Sequence, residues 1–175
     1  MTLEQLKNTI AAIEDYPKPG ITFRDITPLL QNAEAFSACI DFFVERYIQQ
    51  GITQVAAVEA RGFIFGAAIA KALGCGLTLL RKPGKLPGNV ITQRYQLEYG
   101  EDQLQMRSDS LKASDNVLIV DDLLATGGTV EAAAKLIKQT QARIHEAAFL
   151  VTLDGLPGEQ KLQQQGLACY TLCRF

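Results

Sequence analysis

Apolar residues at Leu3, Leu6, Ile10 and Ile13 recur at helical spacing, so the opening segment predicts a short amphipathic helix. The stretch YPKPGITFRDITPLL follows, with prolines at positions 17, 19 and 28. Proline lacks the N–H that a helix interior needs, so this stretch predicts an ordered loop, extended around residues 21–23, and no regular helix. Asn32 is placed to cap the next helix, where Phe36, Ile40, Phe43, Val44 and Tyr47 form one apolar stripe before Gly51. From there a rhythm of strand, turn and helix sets in. Short apolar runs at 55–58, 77–80, 117–120, 147–151 and 168–172 predict strands. Segments 64–73, 130–140 and 159–165 between them predict helices. Continuous apolar strands alternating with helices indicate an α/β fold with a central, mostly parallel sheet covered on both faces.

Residues 82–107 break the rhythm. They hold no helical stripe, only two alternating stretches near 90–97 and 103–107 around Tyr99-Gly100-Glu101-Asp102. This predicts a hairpin inserted after a core strand, with a basic, proline-rich entry. Excursions of this length in a compact domain serve as functional lids or are mobile.

The chain has 175 residues, 47% of them hydrophobic and 21% charged, which fits one domain with a full core. Its net charge of -2 gives no overall basic field for nucleic acid. No apolar run approaches the roughly 20 residues of a membrane span, and MTLEQLKNTI lacks the layout of a secretory signal, so a cytoplasmic location is expected. The cysteines Cys39, Cys75, Cys169 and Cys173 are expected to be reduced. Cys169 and Cys173 share a predicted strand, where four residues span roughly 13 Å, too far for a disulfide. A zinc site would want a second pair and histidines, yet His145 is the only histidine, and it reads as structural.

The chemistry concentrates in NVLIVDDLLATGGTVEAA, residues 116–133. A buried strand delivers Asp121 and Asp122 at its C-terminal edge, and Ala125-Thr126-Gly127-Gly128-Thr129 then opens a helix. Glycines let backbone N–H groups approach a ligand, and a helix N-terminus adds unpaired donors and a positive dipole end. No lysine follows the glycines, so this is not a nucleoside-triphosphatase loop. Carboxylates pressed against a phosphate would repel it. A sugar phosphate resolves the conflict: the phosphate fills the N–H cradle, and the carboxylates accept hydrogen bonds from the sugar hydroxyls. A hard cation such as Mg²⁺ on the sugar and pyrophosphate oxygens would favour the acidic pair further. The alternative is a plain tight turn with acidic caps.

VLIVDDLLATGGT resembles the signature by which type I phosphoribosyltransferases bind 5-phosphoribosyl-1-pyrophosphate (PRPP), and DDLLATGGT is similar to the form found in adenine-specific members. PGITFRDITPLL, EARGFIFG, RKPGKLP and YQLEYG match the same family in order and at similar spacing, so the resemblance spans nearly the whole chain. It implies the type I phosphoribosyltransferase fold over residues 1–175, with an N-terminal hood near 1–33 and a flexible hairpin lid near 82–107. It further implies transfer of the phosphoribosyl group of PRPP to adenine, with Mg²⁺ as cofactor, in a cytoplasmic homodimer engaging neither nucleic acid nor membrane.

By resemblance, Asp121 and Asp122 hold the ribose hydroxyls and residues 125–129 bind the 5-phosphate. Glu59-Ala60-Arg61-Gly62 looks like the family's pyrophosphate loop, which often carries a strained or cis peptide. The residues alone agree, since N–H donors and a guanidinium face one point; a surface arginine at a helix start is the alternative. Glu59 is a lesser candidate to hold metal-bound water, and no direct protein metal ligand is assigned. Arg81, Lys82 and Lys85 would neutralise departing pyrophosphate, in their own or a neighbouring subunit's site; a solvated charge cluster is the plainer alternative. For the base, Phe23 is expected to stack on the purine, with Thr22 backbone groups at its Watson–Crick edge, Arg61 nearby and Leu153 on the opposite face. On residue type alone Phe23 reads as core. Glu98 is the candidate proton acceptor as a ring nitrogen attacks the anomeric carbon, and Tyr99 shapes the closed lid. Without YQLEYG around it, Glu98 would read as a solvated glutamate.

Two other classes compete. A PRPP-binding regulator without turnover would usually carry a DNA-binding module, and the roughly 20 residues before PGITF are too few for a winged helix. A phosphoacceptor signalling domain would need a further strand-end aspartate, yet Val58 and Leu80 are followed by Glu59 and Arg81.

Overall fold

The structure is a computed structural model that describes residues 1–96 and 100–175. Leu97, Glu98 and Tyr99 lie outside the described residues. Helix α1 (Leu3–Lys7) opens the chain under a capping box, in which Thr2 and Gln5 exchange side-chain-to-backbone hydrogen bonds. The helix is shorter than the apolar spacing predicts. After Asn8, residues Ala11–Ile13 form β1, antiparallel to β2 (Phe23–Asp25). Leu6 and Ile10 are buried either way, so a turn of helix and a strand satisfy the same apolar spacing. A second correction follows at α2 (Thr27–Gln31), a short helix where a loop was expected. Pro28 sits in its first turn, where the missing N–H costs nothing.

Helix α3 (Ala33–Tyr47) is capped by Asn32, whose side chain accepts from the Ala35 N–H. It buries Ala35, Cys39, Phe43 and Tyr47, the last two from the expected stripe; Phe36 and Ile40 pack beside them, partly buried. Then come β3 (Gln54–Val58), α4 (Gly62–Leu73) and β4 (Gly76–Leu80). A hairpin of β5 (Val90–Gln96) and β6 (Glu101–Arg107) follows, paired from Val90↔Arg107 to Gln96↔Glu101. The chain closes with β7 (Asn116–Leu124), α5 (Gly128–Gln139), β8 (Arg143–Thr152), α6 (Gly158–Gln164) and β9 (Cys169–Arg174).

The five core strands form one parallel sheet in the order β4-β3-β7-β8-β9. Alternate residues of each strand feed two cores. Val117 and Ile119 face α5, α6 and the hairpin, while Leu118 and Val120 face α1 to α4. Burial on both faces is why these strands read as unbroken apolar runs. From β3 the chain crosses to β4 on one side, and from β7 to β8 on the other. The C-terminal ends of β3 and β7 therefore bound a switch point, where the fold opens a crevice. The four cysteines are free thiols, and no helix among the described residues is long and apolar enough to cross a membrane.

Candidate active site

A cavity of about 400 Å³ occupies that crevice, lined by residues 58–61, Lys82 and residues 121–130. Strand β7 runs past the aspartates to Leu124, held to β8 by the Leu123↔Val151 and Leu124↔Thr152 pairs. Asp121 and Asp122 thus lie inside the strand, two residues short of its end, and not just beyond a strand of residues 117–120 as the sequence predicts. Neighbours along a strand point to opposite sides, so the two carboxylates leave the backbone in different directions. Asp122 is buried and its carboxylate stands 2.9 Å from the Arg61 guanidinium, while Asp121 Oδ1 accepts from the Asp122 N–H at 2.8 Å. Burial pushes both carboxyls up from the ordinary aspartate range. The charge of Asp122 adds to the rise at Asp121, whereas Arg61 offsets part of it at Asp122.

The loop after β7 turns through Gly127, whose φ of +79° is a conformation that side chains rarely tolerate. Gly128 begins α5, so the N–H groups of this turn are open toward the cavity. The start of α6 braces the loop from behind. The Gly158 N–H donates to the Ala125 carbonyl at 3.0 Å, and a Cβ on Gly158 would fall 2.2 Å from that oxygen. Only a glycine fits there, a requirement that nothing near residue 158 in the sequence signals.

On the opposite wall the Glu59–Ala60 peptide is cis. Glu59 accepts from Arg81 at 2.9 and 3.2 Å and from the Lys82 N–H at 3.0 Å. Arg81, helped by the Lys82 N–H, holds the Glu59 carboxyl below its usual range against the opposing effect of burial. Lys82 reaches the cavity, but Arg81 and Lys85 do not line it; Arg81 instead bridges Glu59 and the Lys85 carbonyl. Of the residues expected around a base, Arg61 lines the cavity, whereas Thr22, Phe23 and Leu153 lie off its lining. Phe23 packs edge-on against Tyr16, and its ring centroid lies 5.6 Å from the Arg61 guanidinium. Thr22 is exposed beside it. Leu153 lines a separate surface cavity with Asp154 and Arg174, although its N–H reaches the Leu124 carbonyl at 3.3 Å. Glu98 and Tyr99 fall outside the described residues.

An N–H cradle, a buried acid pair and two cations thus converge at the switch point of a parallel sheet, an arrangement suited to a sugar carrying phosphate at both ends. The chain matches the phosphoribosyl transferase domain over residues 25–165 and belongs to that family. Its place within the family is among the adenine phosphoribosyltransferases. It is 65% identical over 170 residues to the adenine phosphoribosyltransferase of Idiomarina loihiensis, covering 97% of this chain and 96% of that relative. Its structure is similar to the crystal structure of the enzyme from Thermoanaerobacter pseudethanolicus, with a TM-score of 0.95 and 44% identity over 99% of this chain and 100% of that one. The Saccharomyces cerevisiae enzyme, complexed with D-2,5-dideoxy-2,5-imino-altritol 1,6-bisphosphate and adenine, aligns with a TM-score of 0.92 and 36% identity over 98% of both chains.

Proposed function

We propose that this protein transfers the 5-phosphoribosyl group of PRPP to adenine, forming AMP and pyrophosphate. The observation that carries the reading is the open N–H cradle of residues 125–129 directly after the buried pair Asp121 and Asp122. The cradle takes the 5-phosphate and the carboxylates accept from the ribose hydroxyls, fixing the anomeric carbon between base and pyrophosphate. Glu59, Ala60 and Arg61 face the pyrophosphate together with Lys82, and Arg81 and Lys85 complete the basic entry. Support for the base site comes from Phe23 beside Arg61, which lines the cavity, and from Leu153 tied by its N–H to the end of β7.

In the reaction a ring nitrogen of adenine forms its bond to the anomeric carbon as the bond to pyrophosphate breaks. The N–H proton passes to Glu98, a role that rests on the resemblance of YQLEYG alone. The hairpin acts as the lid that excludes water from the oxocarbenium-like sugar, and by the same resemblance Tyr99 shapes the closed lid. The oxygens of PRPP and water would hold a Mg²⁺ ion beside the acid pair, since hard cations prefer oxygen ligands. When bound, that ion neutralises the pyrophosphate leaving group. The setting is a homodimer in the cytoplasm.

The test is turnover with PRPP, Mg²⁺ and labelled adenine in competition with hypoxanthine, guanine and xanthine. AMP formation that the other bases barely suppress is expected. PRPP binding without AMP would instead identify a regulator.

A further inference from the structure

Lys82 shares the lining of the cavity with Arg61, and Arg61 is already engaged with Asp122. Lys82 is held at both ends. Its N–H donates to Glu59 at 3.0 Å, and its ammonium donates to the Tyr95 hydroxyl at 2.7 Å and to the Asp102 carboxylate. The Tyr95 hydroxyl in turn donates to Asp102 Oδ2 at 3.1 Å, closing a triangle between the two hairpin strands and the cavity wall. The Tyr95 ring is only 8% exposed, and a Cβ on Gly128 would lie 3.5 Å from it, so the ring is wedged against the first residue of α5. A buried ring on a core helix is a firm anchor for the hydroxyl it carries.

An ammonium has three N–H donors, and two of these are committed to the hairpin, which leaves one for a ligand. A lysine that hung free would lose its rotamer freedom on binding an anion; one already held has lost it on folding. We propose that Tyr95 and Asp102 are positioning residues that hold Lys82 at the cavity wall for the pyrophosphate end of PRPP. This rests on the function proposed above, and it also makes the hairpin part of the anion site.

The experiment uses the full chain and titrates magnesium pyrophosphate and ribose 5-phosphate separately by calorimetry. Tyr95→Phe removes the hydroxyl but leaves the ring on Gly128. It should weaken pyrophosphate roughly three- to tenfold, the scale of one lost hydrogen bond, and leave ribose 5-phosphate within about twofold. In turnover the KM for PRPP should rise while kcat and the KM for adenine hold. In a Lys82→Met background, Tyr95→Phe and Asp102→Asn should each change pyrophosphate affinity no further. The inference is overturned if Tyr95→Phe leaves pyrophosphate binding unchanged, weakens both ligands alike, or keeps its effect without Lys82. Wild-type protein that binds neither ligand would remove the functional reading itself, an outcome distinct from any of these.

Discussion

Two ionisable carboxylates buried side by side cost stability, and Asp121 carries most of that cost. Burial, followed by the charge of Asp122, sets its folded-state pKa well above the ordinary 3.8. An acid shifted upward contributes its full stability below the unfolded value and loses it as pH rises through the folded one. At pH 7, above the unfolded value, the buried acid therefore costs stability. Asp121→Asn keeps an oxygen that can accept from the Asp122 N–H, so the local backbone contact survives. The variant should melt higher than wild type at pH 7, with the gain shrinking as pH falls toward 3.8, while ribose 5-phosphate affinity drops. Thermal melts at the two pH values and a calorimetric titration check this; a lower melting point at pH 7 would refute it. Glu98 is the proposed proton acceptor. Glu98→Gln should lower kcat by about 10²- to 10⁴-fold, the usual worth of a general base, with PRPP binding intact. Near-normal turnover would remove Glu98 from the mechanism.

Among elements, the phosphate loop depends on α6 as much as on its own glycines. Gly158 meets the Ala125 carbonyl, and Gly127 packs back against Gly158, where an added Cβ would fall 3.1 Å from the Gly158 Cα. Glu131 in α5 accepts from Lys135 and pairs with Lys161 in α6, which together bring its carboxyl down to about 2 and tie the two helices. Gly158→Ala forces an atom against backbone oxygen, an overpacking that should cost about 1–3 kcal/mol. Because the displaced atom belongs to the loop, ribose 5-phosphate affinity should fall more than tenfold, as titration calorimetry would show. Unfolding curves with unchanged midpoints would contradict the packing argument. The elements themselves were legible to different degrees. Every core strand was readable from its apolar run, since the inner strands are buried on both faces and the edge strand β4 still turns Thr78 and Leu80 into the core. The segment from Thr9 to Gln31 was not. There β1 exists only because β2 lies alongside it, and α2 is too short to show a period.

Across the whole molecule, the sheet is not covered evenly. In the edge strand β4, Thr78 and Leu80 are buried, whereas Leu77 is 40% exposed and Leu79 only partly covered. Helix α4 packs over β3, where a Cβ on Gly66 would lie 2.5 Å from the Ala57 side chain, and leaves this strip of β4 open. Ile64 on α4 is also exposed, at 39%. An apolar edge of this kind fits the face that a second copy would cover in the proposed homodimer. Leu77→Glu should shift the protein from dimer to monomer in sedimentation at micromolar concentration. An unchanged mass for the variant would place the interface elsewhere.

By itself the sequence determined the parallel α/β sheet, the hairpin after β4 and the glycine loop proposed to cradle phosphate. Each is written in local pattern: apolar runs, alternation, and glycines directly before a helix. It could not show that β7 continues two residues past Asp122, because that extension is held by pairing with β8. Nor could it show that Tyr95 and Asp102 grip Lys82, or that Gly158 must be bare beneath Ala125. Those contacts join residues far apart in the chain, and only the folded packing of hairpin, helix and sheet brings them within reach of one another.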